Sequence, residues 1–323
     1  MLRRRGFEEY SSPARGAVVL IGNFDGVHLG HRRLVDAAAR RASALGAQLV
    51  AITFEPHPLA IVAPHRAPAR LTTCDEKLDL LEACGVEATI VLRADAALIG
   101  TPAEDFLAEL VQRCRPRVIV EGPTFNFGRG RAGSVETLRA LAGRHGFEVE
   151  VVPELHCEEL ADRPAVSSSA IRAALAEGLV ERAAAMLGRP YRIAGVVGHG
   201  EHRGVELGFP TANVDRIPHL LPAHAVYAAV AQLADGALRL AAVNIGPQPT
   251  FGQAGSRVEA HLLDWHRSLR GARLGLHLLG RLREQVRFES VERLVAQLRK
   301  DVAAVCAMAP ALERLRGLSL PRV

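Results

Sequence analysis

Lysine is nearly missing from this chain: of its 40 lysine and arginine residues, only Lys77 and Lys300 are lysines. Neither follows a glycine-rich loop and no G-x-x-x-x-G-K-[ST] occurs, which excludes a Walker-type phosphate loop. Nucleotide phosphates must then be met by backbone N–H groups, arginine, histidine or a divalent cation. Aromatic residues are only 4%, too few for base-stacking platforms. The basic residues are scattered among acidic ones, so a net charge of +5 does not describe a nucleic-acid-binding face. Five cysteines (Cys74, Cys84, Cys114, Cys157 and Cys306) stand far apart with no C-x-x-C pair, which excludes a zinc pattern and leaves reduced thiols as the simple reading. Apolar runs such as Ala17–Ile21 are far too short to span a bilayer. Arg3–Arg5 precede Phe7-Glu8-Glu9, where a signal peptide would place its apolar segment. The expectation is a cytoplasmic protein with no membrane, nucleic-acid or obligatory protein partner.

What is present points to two folded domains. At 323 residues, 49% of them apolar, the chain exceeds one ordinary core. The first half alternates apolar strands with helical patterns. Val18–Ile21 reads as a buried strand, a helix follows from about Gly30 to Leu45 with Gly46 closing it, and Gln48–Phe54 is the next strand. Further strands are expected at Ala88–Leu92, Arg117–Val120 and Phe147–Val152. Thr73-x-x-Glu76 and Thr101-x-x-Glu104 each match a capping box, the second with proline at its first helical position. This order predicts an α/β, doubly wound (Rossmann-like), mostly parallel sheet. Two short helices, Ser168–Glu177 and Val180–Leu187, lead to a change of pattern after Gly188. Short alternating runs then suit a small antiparallel β-barrel, and an amphipathic helix runs from about Val291 past Ala304. The expected domains are 1–187 and 188–323.

Between the first strand and the first helix lies Gly22-Asn23-Phe24-Asp25-Gly26-Val27-His28-Leu29-Gly30-His31. In a doubly wound sheet this is where ligands bind, and the helix N-terminus offers unpaired N–H groups to phosphate. His28 and His31, three apart, can point to one side and donate to charge developing on an α-phosphate, while Gly30 admits close backbone approach. The alternative is a pair of partly buried turn histidines. H-x-G-H at this place resembles the nucleotidyltransferase superfamily. The longer string resembles the bacterial bifunctional riboflavin kinase/FAD synthetase family, as do Thr53–Pro58 (T-F-E-P-H-P), Phe127–Gly133 (F-G-x-x-x-x-G) and Ser167–Arg172 (S-S-S-A-I-R). The resemblance implies that FMN phosphate attacks ATP, with Gly22, Asn23, Phe24, Asp25, Gly30, Asn126, Ser168, Ser169 and Arg172 around the nucleotide. Ser168 as a plain N-cap and Arg172 as a solvated helix residue are the structural alternatives. Thr124 departs from the Asp or Asn usual before Phe125.

In the second half, Gly195–Gly200, Arg203-Gly204 and Leu207–Asn213 form a second cluster. Its glycines alone read as hairpin turns. The string Gly208-Phe209-Pro210-Thr211-Ala212-Asn213 resembles the riboflavin kinase signature, which implies ATP binding by Gly195, Gly200, Gly208 and Pro210, and by Thr211 and Asn213 through Mg²⁺. Their side-chain oxygens are hard ligands of the right kind. By the same resemblance Glu259 takes the proton of the ribityl hydroxyl; its alternative is a surface place on an alternating strand. Arg283 and Phe288 match a later R-x-x-x-x-F. Ala225 and Arg270 depart from the family's G-V-Y-A and L-Y-G. The resemblance covers about Val18 to Asp301 and implies a bifunctional enzyme that uses ATP to make FMN from riboflavin, then FAD from FMN. Alternatives are a kinase with an impaired adenylyltransferase domain, or a flavin- or nucleotide-binding regulator without turnover.

Overall fold

The computed structural model describes residues 1–198, 207–247, 256–318 and 320–321. They form two compact units, Met1–His156 and Cys157–Val323.

The strands of the first unit are β1 (Leu2–Arg5), β2 (Ala17–Ile21), β3 (Gln48–Glu55), β4 (Ala88–Arg93), β5 (Pro116–Glu121), the two-residue strands β6 (Asn126–Phe127) and β7 (Gly133–Ser134), and β8 (Glu148–Val151). Six of them make one parallel sheet in the order β1-β4-β3-β2-β5-β8. Its helices are α1 (Leu29–Leu45), α2 (Leu59–Val62), α3 (Cys74–Ala83), α4 (Ala96–Gly100), α5 (Ala103–Cys114) and α6 (Val135–His145). Every residue of β2 is buried. Val18 and Leu20 enter one apolar cluster, Val19 and Ile21 the other, so the strand is covered on both faces. That double burial is why the central strands read as continuous apolar runs rather than alternating ones. The edge strand β1, with three arginines, carries no such signal and was not expected. The chain adds β3 and β4 on one side of β2 and β5 and β8 on the other, so the topological switch lies between β2 and β5.

Local chemistry explains most helix ends. Thr73 and Glu76 form the expected capping box at α3, with both reciprocal bonds present. The second expected box does not form. The Thr101 hydroxyl donates instead to the Ala97 carbonyl of α4 (2.9 Å), and Pro102 precedes α5 without a side-chain cap. A short helix immediately upstream has taken the threonine.

The second unit begins with α7 (Ser168–Ala176) and α8 (Val180–Leu187). Strands β9 (Tyr191–Val197), β10 (Ala212–Asp215), β11 (Ala225–Leu233), β12 (Leu238–Pro247), β13 (Ser256–Leu262) and β14 (Arg273–Arg283) close an antiparallel barrel in the order β10-β13-β12-β11-β14-β9. Closure leaves no open sheet edge. Along β13, Val258, Ala260 and Leu262 are buried, while Arg257, Glu259 and His261 alternate on the more exposed face. The expected last helix is α9 (Val291–Cys306), and a further helix, α10 (Ala309–Arg316), follows it.

Candidate active sites

The first site starts where β2 ends. Gly22 N–H still donates to Ile52 O of β3 (2.9 Å), after which the chain turns sharply. Phe24 (φ +48°) and Val27 (φ +37°) have left-handed backbone, and Val27 is β-branched, so the turn stores strain that its surroundings must offset. Phe24 and Val27 are fully buried. The Asp25 carboxylate accepts from the N–H groups of Leu71 (3.1 Å) and Thr72 (3.0 Å) and from the Thr72 hydroxyl (3.1 Å). Gly26 N–H donates to Thr72 Oγ1 (3.1 Å). Asp25 is therefore a brace of the turn in this structure. Lys77 is a second brace: its ammonium donates to the carbonyls of Asn23 (3.1 Å) and Phe54 (3.3 Å), tying the ends of β2 and β3 together. Burial lowers its pKa from the ordinary lysine value.

His28 is itself the N-cap of α1. Its Nδ1 accepts from His31 N–H at 3.2 Å, which leaves the proton of the neutral ring on Nε2. The two imidazoles stack with centroids 3.6 Å apart and planes 14° from parallel, and Phe24 meets His31 edge-on at 5.2 Å. Gly30 sits in the same first turn. Capping, stacking and the helix N-terminus thus follow from one H-x-G-H spacing. Nearby, Asn23 Oδ1 is buried with no hydrogen-bond partner among the described residues. An amide can be turned, so that position offers a ligand either an acceptor or a donor.

Glu121, which ends β5, is a site residue that sequence reasoning missed. Pairing of β2 with β5 stops at Val19↔Ile119, whereas pairing with β3 continues to Ile21↔Ile52. The Ile21 N–H left over donates to Glu121 Oε1 at 2.7 Å. A carboxyl group is thereby inserted at the switch point. Burial pushes its pKa well above the usual carboxylate range, against the N–H bonds from Ile21 and Gly122. The available signal was an acid closing an otherwise apolar strand, V-I-V-E.

The F-G loop has a steric logic. A Cβ on Gly128 (φ +72°) would lie 2.6 Å from Ala103 Cα, and one on Gly133 would lie 2.7 Å from the Phe127 ring. Phe125 and Phe127 stack at 5.5 Å. Asn126 is exposed and its amide donates to the carbonyl of Thr124, the residue that departs from the family pattern (2.6 Å). Ser168, Ser169 and Arg172 lie in the first turns of α7, in the second unit. The cap there is Ser167, whose Oγ accepts from Ala170 N–H (3.1 Å), which corrects the alternative of Ser168 as the N-cap.

On the barrel, Asn213 of β10 pairs directly with Glu259 of β13, and Glu259 with Asn244 of β12. This row spans three adjacent strands. Arg257 Nε lies 2.9 Å from Asn213 Oδ1 and 3.2 Å from Glu259 Oε1. Asn244 Nδ2 is 3.5 Å from Glu259 Oε2, and Asn244 Oδ1 accepts from Gln285 Nε2 (2.7 Å). A cavity of about 580 Å³ opens beside the row, lined by Thr211, Asn244, Glu259 and Phe288 among others. Its far wall is fixed by Arg283, whose guanidinium makes contacts of 2.7–3.1 Å with the Asp301 carboxylate and stands over the Phe288 ring (5.7 Å). That is the physical content of R-x-x-x-x-F. Gly208 is exposed with φ +81°, and the Pro210 carbonyl lies 2.8 Å from His261 Nδ1. A Cβ on Gly195 would lie 2.3 Å from the Asp215 carbonyl, so that glycine serves close strand packing. Gly200 lies outside the described residues, as do Arg203 and Gly204. Arg257 and Gln285 were not anticipated; strand spacing from Glu259 was the signal for the first.

A parallel sheet with a histidine-capped turn at its switch point, in one chain with a closed barrel carrying a polar row, defines a two-domain α/β enzyme. The FAD synthetase family matches residues 11–170 and the riboflavin kinase family residues 187–309. The bifunctional riboflavin kinase/FMN adenylyltransferase of Escherichia coli (strain K12) is 37% identical over 92% of this chain and 94% of its own. That of Pseudomonas fluorescens is 35% identical over 94% and 97%. The chain belongs to the bifunctional riboflavin kinase/FMN adenylyltransferase family and carries both enzyme domains. A crystal structure named for a macrolide-efflux protein of Streptococcus pneumoniae superposes with a TM-score of 0.84 at 26% identity, covering 94% of this chain and 99% of that one. Efflux is a statement about that protein; none of the described helices here is long and apolar enough to cross a membrane.

Proposed function

We propose that the chain phosphorylates riboflavin to FMN on the barrel and adenylylates FMN to FAD on the parallel sheet, with ATP as donor in both steps. The observation that carries this reading is the coexistence of two separate sets of phosphate chemistry, the His28–His31 stack at a helix N-terminus and the Asn213–Glu259–Asn244 row. In the first step the ribityl 5′-hydroxyl attacks the γ-phosphate of ATP, ADP leaves, and Glu259 takes the hydroxyl proton. In the second the FMN phosphate attacks the α-phosphate and pyrophosphate leaves. His28 Nε2, His31 and the amides of the first turn of α1 stabilise the charge that develops there. Ser168, Ser169 and Arg172 are assigned to nucleotide phosphate on the strength of the S-S-S-A-I-R motif.

Mg²⁺ fits the kinase row by the chemistry of its donors. Thr211 hydroxyl and Asn213 Oδ1 are hard oxygens, and the amide oxygen already faces a cation, Arg257. Bound there, Mg²⁺ neutralises phosphate charge. We place the functional boundary at Leu187, with 1–187 and 188–323 as the two domains. The 170 and 187 limits of the two family matches support it, although α7 and α8 group with the barrel by contact. A cytoplasmic site of action follows from the ATP requirement.

The test is a time course of purified protein with riboflavin, ATP and Mg²⁺, resolved by chromatography. FMN first and FAD later supports the reading; FMN alone marks the Thr124 domain as impaired, and neither product leaves a binding protein.

A further inference from the structure

Arg257 and Glu259 are two apart on β13, so their side chains emerge on one face of the strand. The guanidinium Nε–H is shared between two acceptors on adjacent strands, Asn213 Oδ1 at 2.9 Å and Glu259 Oε1 at 3.2 Å. Asn213 is only 6% exposed, so its amide oxygen needs a partner whenever nucleotide is away. Arginine supplies it.

We propose that Arg257 is a further working residue of the kinase site: it holds Asn213 and Glu259 in register in the ligand-free protein and passes to a nucleotide phosphate when a divalent cation takes the Asn213 oxygen. The inference rests on the kinase reading above. Two cations cannot share the Asn213 oxygen, because a guanidinium and a divalent ion a few ångströms apart repel strongly in a half-buried site. Arg257 has an anionic destination nearby, since the cation arrives with phosphate. The carboxylate stays oriented after the exchange. Its other oxygen, Oε2, faces Asn244 Nδ2, and Asn244 is held in turn by Gln285. Oε1 is then open to accept the hydroxyl proton. Arg283 cannot take this part, because its guanidinium is committed to Asp301 by contacts of 2.7–3.1 Å. Neither lysine of the chain lines the cavity, and the other arginine that does, Arg287, is exposed after β14 and outside the Asn213–Glu259 row.

The experiment uses the full chain with Arg257→Met and Arg257→Lys. Mn²⁺ binding is read by electron paramagnetic resonance without nucleotide and with ADP, and riboflavin phosphorylation by steady-state kinetics. Removal of the competing guanidinium is expected to tighten Mn²⁺ binding several-fold. At the same time kcat for phosphorylation falls about 10- to 100-fold, the value of one charge-assisted hydrogen bond to phosphate. Lysine restores part of kcat. Conversion of supplied FMN to FAD stays unchanged. Unchanged Mn²⁺ affinity with unchanged kcat overturns the proposal and leaves Arg257 a surface ion pair. Weaker Mn²⁺ binding in both variants also overturns it, making Arg257 a structural prop. If the wild-type chain itself makes no FMN, the kinase reading fails, while the Mn²⁺ titration still decides whether Arg257 competes with a metal.

Discussion

Asn213 and Glu259 stand opposite each other in direct register across β10 and β13, with Asn244 opposite Glu259 on the other side. An amide, a carboxylate and a second amide therefore form one row that no local stretch of sequence contains. If the carboxylate is the base, Glu259→Gln keeps the shape and removes proton acceptance. Riboflavin phosphorylation is expected to fall by roughly 10²–10⁴, the usual contribution of a general base. FAD formation from supplied FMN should not change. An equal loss of both activities would assign Glu259 to stability instead.

Lys77 joins two strand ends through the carbonyls of Asn23 and Phe54. Lys77→Met removes both bonds, each worth about 1–3 kcal/mol with a charged donor, although the Asn23 carbonyl keeps the Thr53 hydroxyl at 3.2 Å. The expected result is a lower melting temperature and a weaker adenylyltransferase, with kinase turnover retained. Thermal melts and the two assays on one preparation check this. A variant with wild-type FAD synthesis would show that the turn does not depend on its lysine.

Glu121 gives a pH test. Its folded-state pKa is raised by burial, so the stability it contributes is complete below the ordinary carboxylate pKa and is lost as pH rises toward the folded value. Glu121→Gln cannot ionise and its amide oxygen still accepts from Ile21 N–H. The variant should gain stability relative to wild type as pH rises from 4 to 8. Denaturant melts across that range read the difference. A constant difference would mean that Glu121 ionises over the same pH range folded and unfolded, contrary to a raised pKa.

His277 behaves in the opposite sense. It is buried on β14, where burial first and then Arg192 and Arg189 lower its pKa from 6.5 to about 3. Its ring Nε2 lies 3.0 Å from Gln232 Oε1. A base with a depressed folded pKa contributes stability above about 6.5 that is lost as pH falls toward 3. The gap corresponds to roughly 5 kcal/mol at most, at 1.36 kcal/mol per pH unit. His277→Gln should flatten the fall of melting temperature between pH 6.5 and 4. An unchanged slope would place the acid sensitivity elsewhere.

The sequence made the sheet legible because double burial writes β2, β3 and β4 as apolar runs, and the barrel legible because half-burial makes β13 alternate. The Thr73 cap was readable since it depends only on residues three apart. Thr101 was not, because its competitor was a carbonyl of the preceding helix. The histidine pair was legible by spacing, but His28 as the cap of α1 was not, since imidazole is an unusual capping group. Glu121, Lys77 and Arg257 escaped for one shared reason. Each works through a partner 23 to 100 residues distant, and those pairings exist only after the topology does.

The central claim is that two independent active sites act in sequence, and one assay tests it directly. Wild type, His28→Asn/His31→Asn and Glu259→Gln are each given riboflavin, ATP and Mg²⁺, and in parallel FMN, ATP and Mg²⁺, with products separated over time. The histidine variant should accumulate FMN from riboflavin and form FAD at least about 10²-fold more slowly, as when oxyanion-stabilising donors are lost. The Glu259 variant should make almost no FMN yet convert supplied FMN to FAD at the wild-type rate. Loss of both reactions in either variant, or FAD formation at full rate without the histidines, would contradict the account.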